Sequence, residues 1–267
     1  MNHLGGIDAD YSAFRSFFFE HLDEVLEIMH TKRTQTNEVG RCATLLPALG
    51  SLREPLALIE VGASAGLNLL LDRYAYDYGD GRFVGDPRAE VVLPCRPRNE
   101  VPILQTVPQV VWRLGVDLAP VDLFDEESVR WLQSCVFYDH ADRRQRLAAA
   151  IEVARRDPPQ VVRGDLVDAI GDMVAEAPSE ATIVVFHSAV LAYLSRDRRE
   201  RFAQLMARLP VIWLSNEAPH VVRSVMDALD RPLLGEVHFL LGRNGEEPLA
   251  FTHPHGRWIE WLGATTG

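Results

Sequence analysis

The chain has 267 residues, 47% hydrophobic and 24% charged, which suits one large globular domain with its own core. Its 27 Lys and Arg stand against 38 Asp and Glu, and the resulting formal charge of −11 disfavours a broad nucleic-acid or anionic-membrane surface. Three widely spaced cysteines, Cys42, Cys95 and Cys135, form no CxxC, and no long apolar run or signal-like opening is present, so a soluble cytoplasmic protein is expected.

Residues 1–50 read as a helical N-terminal region packed on a main domain of residues 51–267. Tyr11, Phe14, Phe18, Leu22, Val25 and Met29 recur at three- and four-residue steps, which predicts one apolar face that docks on the main domain or covers its ligand. Next comes LALIEVGASAGLNLLL, Leu56 to Leu71, whose order predicts a strand, a sharp turn and a helix. Gly62 and Gly66 let the backbone turn and let a ligand approach the amides at the helix start. Glu60 would stand at the carboxyl end of the strand, where open α/β sheets bind ligands. The same letters satisfy GxSxG, the nucleophile elbow of α/β-hydrolases, with Ser64 as the nucleophile and His187, His253 or His255 as its base. Mainly helical sequence precedes Ser64 and no HGG-type oxyanion segment is present, which weighs against that elbow.

An insertion follows at about 74–109, where aromatic and β-branched residues surround Gly-Asp-Gly turn letters and predict a β-hairpin or small sheet. After it the chain alternates. Val110 to Leu114 is a strand ending in GVDLAP; Val121 to Val136 is a helix capped by Asp125; Arg143 to Arg156 is a second helix. Gln160 to Arg163 is the next strand, closed by Gly164 and Asp165 before a helix carrying Leu166 and Ile170. Thr182 to Phe186, TIVVF, is the strongest buried-strand signal and ends in His187 and Ser188. Arg198 to Leu209 is helical, VIWL is a strand ended by SNEAP, and a hairpin around GRNGEEP closes the sheet. Repeated strand-then-helix order implies an α/β fold, a mostly parallel sheet with helices on both faces and an antiparallel closing hairpin.

This layout resembles the class I, Rossmann-like methyltransferases that use S-adenosylmethionine (SAM), on the spacing of Glu60, Gly62, Ser64 and Gly66. EVGASAGLNLLLDRYAYDYG, RLGVDLAPVD, RGDLVD, FHSAVLAYL and HPHGRWIEWL are similar to an uncharacterised bacterial family, domain of unknown function 2332. The methyltransferase resemblance implies a cofactor pocket for SAM and a small-molecule acceptor. Gly62, Ser64 and Gly66 would meet the methionine carboxylate, and Glu60 the ammonium or its water. Asp117 would accept the ribose hydroxyls, although it stands 57 residues after Glu60 rather than roughly 20, which leaves Asp77 as its rival. Asp165, with Gly164 and Leu166, would border the adenine, while His187 and Ser188 would face the transferred methyl group.

His187 is the candidate general base, since an imidazole with a pKa of about 6.5 takes a proton at neutral pH. Asn216 and Glu217 would neighbour it, and Tyr138, Asp139 and His140 would line the substrate side. His253 and His255 lack a nearby acid or cysteine cluster, so no metal site is expected. HSAVLAYL lacks the Asn or Asp, Pro, Pro, aromatic pattern of amino-methylating enzymes, so nucleic acid is not the expected acceptor. A module that binds SAM or a nucleotide without chemistry is the alternative from a different class.

Overall fold

The computed structural model describes residues 2–4, 11–137 and 139–263. The first strand, β1 (Leu56–Val61), is followed by four short insertion strands, β2 (Ala75–Asp77), β3 (Phe83–Val84), β4 (Val92–Pro94) and β5 (Arg96–Pro97). Then come β6 (Val110–Asp117), β7 (Val161–Arg163), β8 (Thr182–Ser188) and β9 (Ile212–Glu217), and finally β10 (Phe239–Arg243), β11 (Glu247–Thr252) and β12 (Trp258–Trp261). The large sheet has nine strands in the order β5-β12-β11-β10-β9-β8-β1-β6-β7. From β7 through β9 every pairing is parallel, and β10, β11 and β12 extend the sheet as an antiparallel meander. The expected hairpin therefore gains a third strand from the aromatic segment that holds Trp258 and Trp261.

Without the insertion, the parallel part reads 3-2-1-4-5 in chain order, so the chain reverses its direction of growth between β1 and β8. In open α/β sheets that reversal opens a crevice beyond the carboxyl ends of the strands, because the connections on either side leave in opposite directions. β1 sits in the middle and is buried along its whole length, which is why its letters are a near-continuous apolar run.

Side chains alternate across a strand, and the two core clusters follow that period. Leu56 and Leu58 pack with α3 (Cys42–Leu49), α4 (Glu126–Ser134) and α5 (Ala141–Arg156). Ile59 and Val61 pack on the other face with α6 (Leu166–Glu176), α7 (Arg196–Met206) and α8 (Arg223–Asp227). Glu60 therefore falls on the face of Leu58. His187 falls on the face of Val185, with α7.

The N-terminal region divides in two. Every residue of α3 is buried, so this helix belongs to the main core rather than to an added layer. Before it, α1 (Tyr11–Glu20) buries no residue and α2 (Leu22–Thr31) only Val25. Of the predicted apolar face, Tyr11, Phe14 and Met29 are exposed, Phe18 and Leu22 are half-buried and Val25 is buried.

The insertion forms a three-stranded sheet, β3-β2-β4, and sends β5 to the edge of the large sheet. Buried Tyr74, Tyr76 and Tyr78 anchor it, with hydroxyls donating to the carbonyls of Leu67, Leu71 and Ala43. Each tyrosine thus buries a ring and keeps its polar end satisfied. No described helix is long and apolar enough to cross a membrane.

The β11–β12 turn packs its backbone on the segment before α3. A Cβ on Gly256 (φ +73°) would stand 1.9 Å from the Gly40 carbonyl oxygen, whereas one on Gly79 (φ +74°) meets nothing within 4 Å. Both substitutions carry the left-handed backbone cost of about 1–2 kcal/mol, and only the first adds a backbone clash. Urea unfolding is expected to show a loss of about 1 kcal/mol for Gly79→Ala and of more than about 3 kcal/mol for Gly256→Ala. Equal losses would refute the packing described for this turn.

Candidate functional site

A cavity of about 500 Å³ opens beyond the carboxyl ends of β1, β6, β7 and β8, the place the strand order picks out. Gly62, Ser64, Asp117, Gly164, Asp165, Leu166 and Ser188 all line it. Leu118, Pro120, Val121, Trp131, Val190 and Leu194 give it a mainly apolar wall.

Asp117 is the tie between the loops after β1 and β6. One carboxylate oxygen accepts from the Ser64 amide at 2.8 Å and the other from the Ala119 amide at 2.9 Å. The Val121 amide donates back to the Ser64 carbonyl at 3.1 Å. Asp77, its rival from spacing, lies in the small sheet and faces a different cleft. The 57-residue interval after Glu60 arises because the whole insertion lies between β1 and β6.

The turn after β1 differs from the expected helix start. A 3-10 segment, Leu67–Arg73, follows it, with non-helical angles at Leu70. Its amides are already engaged, with Gly62 and Ala63 donating to the Val116 carbonyl, Gly66 to Ala63, and Leu67 to the Asn37 side chain. An open nest of amides for a carboxylate is therefore not what Gly62 and Gly66 build. Both have positive φ and close neighbours: a Cβ on Gly62 would meet Val190 at 2.5 Å, and one on Gly66 would meet Pro159 at 2.8 Å. Glycine is needed there for turning and for packing, and Gly66 lies outside the cavity wall.

Ser64 also has positive φ, +54°, yet its buried Oγ has no hydrogen-bond partner. No imidazole lines the cavity among the described residues, so the elbow reading lacks its base. What remains is a buried hydroxyl without a protein partner, on a residue of the cavity wall.

His187 is completely buried and does not line the cavity. The Trp213 indole N–H is a donor only, so its 2.9 Å contact makes His187 Nε2 an acceptor. Nδ1 then carries the proton and donates to Glu217 Oε1 at 2.8 Å. With both nitrogens engaged, His187 is a strut and not a base. Glu217 Oε1 also accepts from the amides of Val190 and Leu191, at 2.8 and 2.9 Å, which fixes the loop carrying Val190 into the cavity wall. Asn216, on the opposite face, donates to Ser188 Oγ at 3.0 Å and accepts from the Thr252 hydroxyl at 2.7 Å. It too braces the wall from behind instead of touching a substrate. His140 contacts Arg143 Nη1 at 2.9 Å and lies outside the cavity; Tyr138 is outside the described residues.

Asp165 lines the cavity but has other duties. It caps α6 through the Val167 amide at 2.9 Å and pairs with Arg198. The sequence reading missed the strap Thr31–Thr36, which forms one side of the mouth. The Trp131 indole donates to the Arg33 carbonyl at 2.9 Å, Gln35 to the Ala119 carbonyl at 2.6 Å, and Lys32 pairs with Glu127 at 2.7 Å. The polar run KRTQTN between two helical patterns was its only signal. No group of three or more His, Cys, Asp or Glu among the described residues is arranged to hold a metal ion.

Glu60 faces Asn68 and lies near Arg41, outside the cavity wall. Oε1 accepts from Asn68 Nδ2 at 2.8 Å, and Oε2 has no partner. One neutral hydrogen bond, worth about 1 kcal/mol net, does not offset taking a carboxylate out of water. Burial accordingly pushes the Glu60 pKa up to about 8, against the smaller opposing effects of Asn68 and Arg41. The unfolded chain releases this proton near 4.5 and the folded chain near 8, so stability is full below 4.5 and falls as pH rises between the two values. Glu60→Gln keeps the Asn68 bond and cannot ionise. Urea unfolding is expected to find the variant about as stable as wild type at pH 4.5 and more stable by at least about 2 kcal/mol at pH 8. A pH-independent difference would contradict this placement.

No curated protein and no solved structure matches the chain significantly. The family model described as "Uncharacterized protein conserved in bacteria (DUF2332)" matches residues 3–261, and the chain belongs to that family.

Proposed function

We propose that the cavity binds SAM and that the protein transfers its methyl group to a small acceptor at the cavity mouth. The observation that carries this reading is the position of Asp117, beside the β1 turn and at the end of the neighbouring parallel strand, within a cavity at the reversal of strand order. Support also comes from the unsatisfied Ser64 hydroxyl and from the apolar walls of Leu118, Leu166 and Leu194.

The residues fit the group in the following way. Asp117 uses each oxygen for one amide, and each keeps acceptor capacity for a ribose hydroxyl. Ser64 Oγ would donate to the carboxylate of the amino-acid part. Leu118 and Leu166 would cover the adenine and exclude water. SAM supplies an electrophilic methyl group on a sulfonium sulfur. The chain supplies position, which for a well-oriented pair is worth several kcal/mol of barrier.

Because His187 is sealed behind the wall, the acceptor must arrive as a competent nucleophile, such as a neutral amine, a thiolate or a carboxylate. The same sealed imidazole favours a second reading, a SAM-binding module without turnover. Binding of SAM with no methylated product from a panel of such nucleophiles would select it.

Calorimetric titration is expected to give saturable binding of SAM and of its demethylated product. Asp117→Asn should weaken that binding by about tenfold, or about 1.4 kcal/mol, with Ser64→Ala costing less. Thermal melting of the free variants separates lost binding from lost fold. Absence of binding by the wild type at millimolar SAM would overturn the proposal.

A further inference from the structure

We propose that a second cleft, of about 700 Å³, binds a phosphate-bearing small molecule gripped by Arg96 and Arg257. It lies between the insertion, the start of α5 and the β11–β12 turn, and it shares no lining residue with the cavity beneath Asp117. This inference does not rest on the SAM reading.

Four arginines line the cleft, and two of them are already matched. Arg82 pairs with Asp80 at 3.5 Å, and Arg146 pairs with Asp142 at 3.0 Å. The third acid, Asp77, accepts from the Gly79 amide. Arg96 and Arg257 make no ion pair and no side-chain hydrogen bond among the described residues. Their backbones are tied, since the Arg96 amide donates to the Arg257 carbonyl at 2.9 Å where β5 joins β12. Two unmatched guanidiniums are thus carried on one sheet edge, and a guanidinium is the side chain suited to bidentate contact with phosphate oxygens.

Arg41, next to the cleft residue Gly40, is buried and donates only to carbonyls, those of Pro254 at 2.8 Å and Ser188 at 2.9 Å. No carboxylate lies within ion-pair distance of it among the described residues, but Glu38, Glu217 and Glu60 stand near enough to act on its charge. His255 on the cleft wall stands 3.6 Å from Glu38. Burial first, then Arg143, Arg41, His253 and Arg257, holds the His255 pKa down at about 3. Arg82, Arg96, Arg146 and Arg257 stand against Asp77, Asp80 and Asp142 in the lining, so the cleft is net positive on a chain whose net charge is −11. The volume suits a small phosphorylated metabolite, and a phosphate monoester brings close to two negative charges for the two free guanidiniums.

The test is calorimetric titration of the whole protein with inorganic pyrophosphate at fixed ionic strength, beside the Arg96→Gln, Arg257→Gln double variant and a succinate arm. The expected result is saturable submillimolar binding, weakened at least tenfold in the double variant, with succinate binding more weakly. The free double variant should melt within about 2 °C of wild type, because both side chains are exposed. It should also keep whatever affinity for SAM the wild type has, so failure here is distinguishable from failure at the other cavity. Absence of saturable binding, equal binding by the double variant, or succinate binding as tightly as pyrophosphate would each overturn the proposal.

Discussion

The two amide contacts of Asp117 are the constraint on which the site depends. The bond from the Ser64 amide joins the turn after β1 to the turn after β6, its parallel neighbour, and the bond from the Ala119 amide shapes the second turn from within. A carboxylate that accepts two backbone N–H groups is held more firmly than a single-bonded side chain, and here it also sets the left-handed Ser64 in place. The backbone cost of that conformation, of order 1–2 kcal/mol, is offset by the contacts on either side of it. With the two turns fixed, the space between Ser64, Leu118 and Leu166 becomes a cavity instead of a closed packing contact.

Behind this wall, the period of two in the central strands sorts polar groups by face. His187, Trp213 and Glu217 share one face and form a chain of hydrogen bonds; Ser188, Asn216 and Thr252 form another on the opposite face. Groups this deeply buried need partners, because an unsatisfied one costs about 1–3 kcal/mol. Both chains supply them, and in doing so they hold the loop of Ser188 to Leu191 against the cavity. The exceptions are Glu217, whose Oε2 has no partner, and Glu60. Glu60 keeps one oxygen unpaired and holds its proton up to about pH 8, so at neutral pH it is a buried acid rather than a partner for an ammonium.

The strand and helix order was legible because each parallel strand is an apolar run closed by Gly, Asp, His or Asn, and each covering helix carries a 3.6-residue stripe. Gly62, Ser64, Asp117, Gly164, Asp165, Leu166 and Ser188 were found together for the same reason, since a doubly wound sheet delivers its strand ends to one edge. Side-chain direction was not legible to the same degree. Glu60 and His187 stand at strand ends as expected, but the alternation turns one toward α3 and the other toward α7. The strap Thr31–Thr36 carries no periodicity, and its place is set by bonds to residues about 85 to 100 positions away, which no local pattern contains. Spacing alone marks the stripe on α1 and α2 as a docking face, yet of its six residues only Val25 is buried.

The fold thus places two dissimilar recesses that share no lining residue, one mainly apolar and closed by Asp117, the other lined by arginines. Ligand assignment to the first is the centre of the account. A crystal structure of the protein grown with millimolar SAM tests it most directly. The account predicts density in the cavity, with the ribose hydroxyls on Asp117, the adenine against Leu118 and Leu166, and the amino-acid carboxylate on Ser64. An empty cavity under those conditions, or SAM bound away from Asp117, would contradict it.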